Sequence, residues 1–208
     1  MTLTIWTFDW VPKTKRGYVR DVRLRWALEE AGLVYATRVL PFRDRGPEHF
    51  QRQPFGLVPF LTDGELTIFE SGACLLYVAR KSEILMPREP AGEVDTLQWV
   101  IAALNTVEIV SAPWLFLSSS AGHDNAFADK LRSRLRQLEQ ILDTREWLTS
   151  SRFTVADLLM ADILRTPDLR EFAASTTLEA YIQRVCSRPA FRKAVADQIA
   201  HFERGDSG

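Results

Sequence analysis

The stretch Gly56-Leu57-Val58-Pro59-Phe60-Leu61-Thr62-Asp63-Gly64-Glu65-Leu66-Thr67-Ile68-Phe69-Glu70-Ser71-Gly72-Ala73 decides the fold. Its Val-Pro step, between a glycine turn and an apolar run, is a candidate cis bond; cis forms occur in about 5–6% of such steps and serve a structural purpose. One purpose is to turn the N–H and C=O of the preceding residue outward, so that Val58 pairs with an extended ligand as an added strand does. Further on, Glu70-Ser71 precede the apolar run Cys74, Leu75, Leu76, Val78, Ala79, which predicts a helix with Ser71 at its N-cap. A helix N-terminus offers free N–H groups and partial positive charge to a carboxylate. The two halves together describe a docking strand and an anion socket for the backbone of a small peptide. Taken singly, each has a plainer reading, a trans turn and an ordinary cap.

Working outward, residues 3–8 alternate β-branched and aromatic types and predict a strand, and residues 9–17 are polar and basic, a loop. From Tyr18 the spacing of Val19, Val22, Trp26 and of Leu24, Ala27, Leu28, Ala31 is helical, with Gly32 where a C-terminal cap belongs. Residues 35–40 predict a second strand and 42–54 a loop with a short helix. Strands at 58–61 and 67–69 flank the turn signal Asp63-Gly64. The order βαβαββα makes residues 1–82 an α/β domain. Two prolines and a glycine in Met86-Pro87-Arg88-Glu89-Pro90-Ala91-Gly92 leave no helix or strand there, so residues 83–92 read as a linker. Residues 93–208 read as an all-α bundle. Its helices cover 94–117, which Pro113 ends or kinks, 124–146 with a stripe of Leu131, Leu135, Leu138 and Leu142, then 154–165, 178–186 and 190–202.

In Phe153-Thr154-Val155-Ala156-Asp157 a Thr stands at an N-cap with a carboxylate three residues on, a structural capping box. Tyr181 and Arg184 follow, then Arg188-Pro189-Ala190-Phe191. In this order, and across essentially the whole chain, these motifs resemble the cytosolic glutathione S-transferase superfamily, of no assignable class. The resemblance implies a thioredoxin-like first domain, a helical second domain, glutathione as co-substrate and a homodimer. It sets the cysteinyl backbone of glutathione on Val58, ahead of a cis Pro59, and the γ-glutamyl end on Glu70 and Ser71.

The 208 residues suffice for two modest domains whose core needs no disulfide or metal staple. With 26 basic against 27 acidic residues there is no global field for nucleic acid or a membrane. No apolar run of about 18 residues and no signal peptide is read, so a soluble, cytoplasmic protein is expected. Cys74 and Cys186 stand far apart, against a disulfide framework or a two-cysteine redox motif, and His49, His123 and His201 are scattered, so no metal is expected.

Glutathione transfer requires a thiolate, and lowering a thiol's ordinary pKa of about 8.5 by two units requires roughly 2.7 kcal/mol of preference for the anion. The family places the activating group near the start of the first helix, here residues 9–20. No residue there matches a class motif; Tyr18, by a hydroxyl bond, is the first candidate, Arg20, by charge, the second, and Thr14 the third. The run Lys13, Lys15, Arg16, Arg20, Arg23, Arg25 reads mostly as a solvated face, with one or two members near the ligand. Trp10, Trp114 and Phe116 are candidates for the hydrophobic substrate pocket, while Trp26, Trp99 and Trp147 fit core stripes, as does a buried, inert Cys74. The expectation is transfer of the glutathione thiolate to a small hydrophobic electrophile, in detoxification. The alternatives are a glutathione peroxidase, isomerase or thiol reductase, or a non-catalytic binding protein.

Overall fold

Strand β1 (Leu3–Phe8) is bonded on both edges, parallel to β2 (Tyr35–Leu40) and antiparallel to β3 (Phe60–Asp63), which pairs in turn with β4 (Leu66–Ile68) to give the order β2-β1-β3-β4. The computed structural model describes residues 2–149 and 152–207. Helices α1 (Asp21–Glu30), α2 (Pro47–Arg52) and α3 (Ser71–Ala79) complete the βαβαββα order. The apolar stripe of α1 buries Val22, Leu24, Trp26, Ala27 and Leu28. Gly32, at φ +65, ends α1 in the left-handed region, and Leu33 N–H closes the motif on Leu28 O at 3.0 Å.

The chain divides into two units, Met1–Leu85 with Pro189–Gly208, and Met86–Arg188. The last helix, grouped with the α bundle in the sequence reading, thus belongs to the sheet unit. In this unit α10 (Pro189–Arg204) covers α1: Phe191 packs on Trp26 with ring centroids 4.6 Å apart, and Phe202 joins Phe8 and Val11 in a buried cluster. The basic run is corrected here as well. Arg16, Arg23 and Arg25 are not solvated; Arg25 and Asp21, 4% and 0% exposed, form an ion pair at 2.9 Å, because α1 is covered on more than one side.

The helical unit holds α4 (Pro90–Ala102), a π-helical segment (Ala103–Glu108), α5 (Ile109–Ala121), α6 (Ala128–Leu142), α7 (Val155–Leu164), α8 (Pro167–Ala173) and α9 (Thr176–Cys186). Pro90 opens α4 instead of lying in a linker, since proline fits the first helical position, where no N–H is needed. Pro113 lies inside α5, one turn beyond the π-helical segment, and does not end the helix. The continuous helix Pro90–Ala121 is therefore long and apolar enough to cross a membrane by length and composition, contrary to the sequence reading. Core helices of soluble proteins share both properties.

The leucine stripe of α6 is buried as expected, and the capping box is formed. Asp157 accepts from Thr154 N–H at 2.9 Å, from Leu148 N–H at 2.9 Å and from the Tyr181 hydroxyl at 3.0 Å, so the box and the Tyr181 signature are one buried network. Removing the carboxylate strands these buried donors, each worth about 1–3 kcal/mol. Asp157→Ala is expected to destabilise the protein by about 3 kcal/mol or more, against about 1 kcal/mol for Thr154→Ala, read as the fall in thermal midpoint.

Candidate functional site

The register gathers the candidate residues at one end of the sheet. Trp6 pairs with Phe60 and Leu61 with Ile68, so β1 leaves the sheet where β3 enters and β4 ends. The loop from Asp9, the residue Val58 and the step Glu70-Ser71 all stand at that end. Val58–Pro59 is cis. The turn before it is held from α2: Gln53 Oε1 accepts from Phe55 N–H at 2.6 Å and Leu57 N–H at 3.1 Å, and His49 Nε2 meets Leu57 O at 2.9 Å. Gly56 has φ +61, and a Cβ there would lie 2.7 Å from the Phe50 ring. Val58 packs against the Phe8, Val11, Phe202 cluster, while among the described residues nothing bonds its main-chain N–H or C=O. It is an open stretch of main chain just ahead of β3.

Ser71 is the first residue of α3, not its cap; the cap is Glu70, whose side chain makes no capping bond. The first-turn N–H groups therefore keep their donor capacity. Glu70 has φ 68 and ψ 122, a backbone position costly to a non-glycine residue and concentrated at ligand clamps. Arg23, 3% exposed, sends Nη1 to Ser71 Oγ at 3.4 Å, joining α1 to the socket. Cys74 is buried and its thiol donates to Ile68 O at 3.1 Å; burial pushes its pKa up to about 12, which removes it as a nucleophile.

Thr14 lies in an exposed 3-10 turn (Lys13–Lys15), Tyr18 is 41% exposed and Arg20 caps α1 from the surface. Val19, next to Tyr18, packs on the same apolar cluster as Val58, so the structure brings the loop and the open main chain together. The C-terminal segment holds this loop. Asp206 accepts from Trp10 Nε1 at 3.0 Å and from Arg16 Nη1 at 2.8 Å, and a Cβ on Gly205 would come 2.4 Å from Asp9 O. Gln198 Oε1 accepts from Gly17 N–H at 2.9 Å. Sequence reasoning missed Gln198, Asp206 and Gln53; their only local signal is a polar residue in an amphipathic or loop segment.

Trp10 lines a cleft with Pro41, Phe42 and Arg43, packed edge-on to Phe42 at 5.7 Å. Trp114 is corrected: at 0% exposure it is a core residue of the helical unit, donating Nε1 to His123 O at 2.9 Å and packing on Phe172. Phe116, in that unit too, is 79% exposed. Among the described residues no His, Cys, Asp or Glu group of three has the geometry of a metal site.

Residues 14–80 match the family profile "Glutathione S-transferase, N-terminal domain" and residues 109–189 the profile "Glutathione S-transferase, C-terminal domain". The chain is 33% identical over 197 residues to Glutathione S-transferase 4 of Zea mays, covering 85% of each. It is 26% identical to the disulfide-bond oxidoreductase YfcG of Escherichia coli, over 86% of this chain and 92% of that one. The solved structure of glutathione S-transferase I bound with lactoylglutathione superposes with a TM-score of 0.76 at 26% identity, over 94% of this chain and 99% of that one.

The Arg16 hydrogen bonds hold the Asp206 carboxyl down to about 2, below the ordinary Asp value of about 3.9. A depressed carboxyl stabilises fully above its unfolded value and loses that contribution as pH falls toward its folded one. Acid titration of Trp10 fluorescence should therefore change between about pH 4 and pH 2 in the wild type, and Asp206→Asn should lack that step.

Proposed function

Because the chain belongs to the glutathione S-transferase family, with both family domains matched in order, we propose that it binds glutathione at the end of the sheet and transfers its thiolate to a small hydrophobic electrophile. The observation that carries this reading is the convergence at one sheet end of an open stretch of main chain, a helix N-terminus behind a strained acidic residue, and a hydroxyl-bearing loop. Val58 pairs with the cysteinyl backbone. Ser71 and the first N–H groups of α3 receive the γ-glutamyl carboxylate, with Arg23 behind Ser71, and the Glu70 carboxylate receives the ammonium group.

Tyr18 is the thiol-activating group in this reading, donating a hydrogen bond that favours the anion, with Arg20 and then Thr14 as the alternatives. The apolar part of the electrophile lies against Trp10 and Phe42. With this activity we place the protein in the cytoplasm as a homodimer, on the family resemblance. The reductase reading is supported by the likeness to YfcG. Against a protein thiol in that role stand Cys74 and Cys186, both pushed up to about 12 by burial and neither in the loop.

Calorimetric titration with glutathione and with S-hexylglutathione should give binding of both, tighter for the hexyl form; binding of neither removes the proposal. Ser71→Ala should weaken glutathione binding by about tenfold, the loss of one charge-assisted hydrogen bond. Tyr18→Phe should leave affinity in place and lower kcat; unchanged turnover would exclude Tyr18.

A further inference from the structure

The proposed thiol-activating residue is a solvent-exposed tyrosine in a loop with no regular ladder to hold it. Its own N–H closes a local turn on Lys15 O at 3.0 Å, and a side chain from far along the sequence holds the residues on both sides of it. Gln198 is 0% exposed in the middle of α10. Its Oε1 accepts from Gly17 N–H at 2.9 Å, and its Nε2 donates to Val19 O at 2.9 Å. These are the residues on either side of Tyr18. The second Nε2 hydrogen goes to Asp21 Oδ1, the first residue of α1. One acceptor and two donors are all in use, and a reversed amide would set its NH2 against the Gly17 N–H. Asp21 is itself fixed by Arg25 at 2.9 Å, so the bracket rests on a buried polar pair and not on a mobile surface group. Gly17 at φ +83 completes the bracket, with α10 passing over it: a Cβ there would meet Val195 at 3.7 Å.

We propose that Gln198 is a positioning residue for thiol activation, its side-chain amide fixing the main chain on both sides of Tyr18 and thereby the place of the phenol hydroxyl. The inference rests on the reading of Tyr18 as the activating group. Val58, Glu70 and Ser71, which dock glutathione in that reading, stand on other elements, and Arg23, which backs Ser71, sits in the body of α1, so losing the bracket affects the thiol far more than the affinity. Gln198→Met keeps side-chain length and apolar volume while removing all three hydrogen bonds.

The test is a pH titration of the thiolate absorbance of glutathione bound to the full-length protein, with kcat and KM measured against a chloronitrobenzene electrophile. Gln198→Met should raise the pKa of the bound thiol by about one unit and lower kcat near neutral pH about tenfold, with the KM for glutathione within about twofold of wild type. In a Tyr18→Phe background the same change should have no further effect on the thiol, because the hydroxyl it positions is gone. A merely structural glutamine would lower the thermal midpoint and leave the thiol pKa in place, and that result overturns the inference, as does a loss that adds fully to that of Tyr18→Phe. Should Gln198→Met not fold, Gln198→Glu carries the same expectation, since it keeps the contour and the acceptor for Gly17 but sets carboxylate oxygens against Val19 O and Asp21. A wild type that binds no glutathione, or a Tyr18→Phe protein with unchanged turnover and thiol pKa, fails at the underlying reading and takes this inference with it. That pattern differs from a silent Gln198 beside an active Tyr18.

Discussion

Everything at the candidate site depends on β1 being paired on both edges, parallel on one side and antiparallel on the other. A parallel neighbour obliges the chain to cross over through a helix, and an antiparallel one lets the next hairpin return to the end where β1 leaves the sheet. That combination puts three backbone features at one place without any side chain being long enough to reach across the sheet. The open main chain at Val58, the N-terminus of α3 and the loop before α1 are neighbours because the strands are, and a shift of register would separate them while also turning Ile5 and Phe60 out of the core.

The chemistry assembled there is mostly main chain. An unbonded stretch of main chain and unbonded helix N–H groups are costs in an ordinary fold, relieved by water when exposed. In this protein they are kept in place by buried side chains that touch no ligand in the proposed arrangement: Gln53 and His49 under the turn before Pro59, Arg23 behind Ser71, and Gln198 against the loop. The supports are buried polar residues, and Gln198 has both ends of its amide in use inside the unit. The only titratable thiol near the socket, Cys74, is spent on Ile68 O.

The βαβαββα order was legible because its signals are local, namely alternation in residues 3–8, the 3.6-residue stripe through Trp26 and the turn at Asp63-Gly64. The capping box was legible for the same reason, since Thr154 and Asp157 are three residues apart. What escaped is non-local or depends on coverage. Gln198 and Asp206 resemble solvated positions until their partners, far away in the sequence, are known. Arg23 and Arg25 carry charges that suggest water, yet α1 is covered on more than one side and their guanidinium groups are buried among partners. Trp114 has the composition of a pocket wall and the position of a core residue. Pro90 and Pro113 show that proline is a boundary signal whose meaning depends on where in a helix it falls.

The bond from Gly17 to Gln198 joins residues separated by 181 positions, and that from Arg16 to Asp206 spans 190. A ribosome delivers the sheet and α1 first, then the whole of the helical unit, and α10 only after it. Until α10 emerges, Trp26 and Phe8 lack the rings that cover them, and the loop bearing Tyr18 has only its own short turns. The middle of the chain thus has its complete set of residues while the beginning is still waiting, and the order of synthesis makes α10 the step that finishes α1.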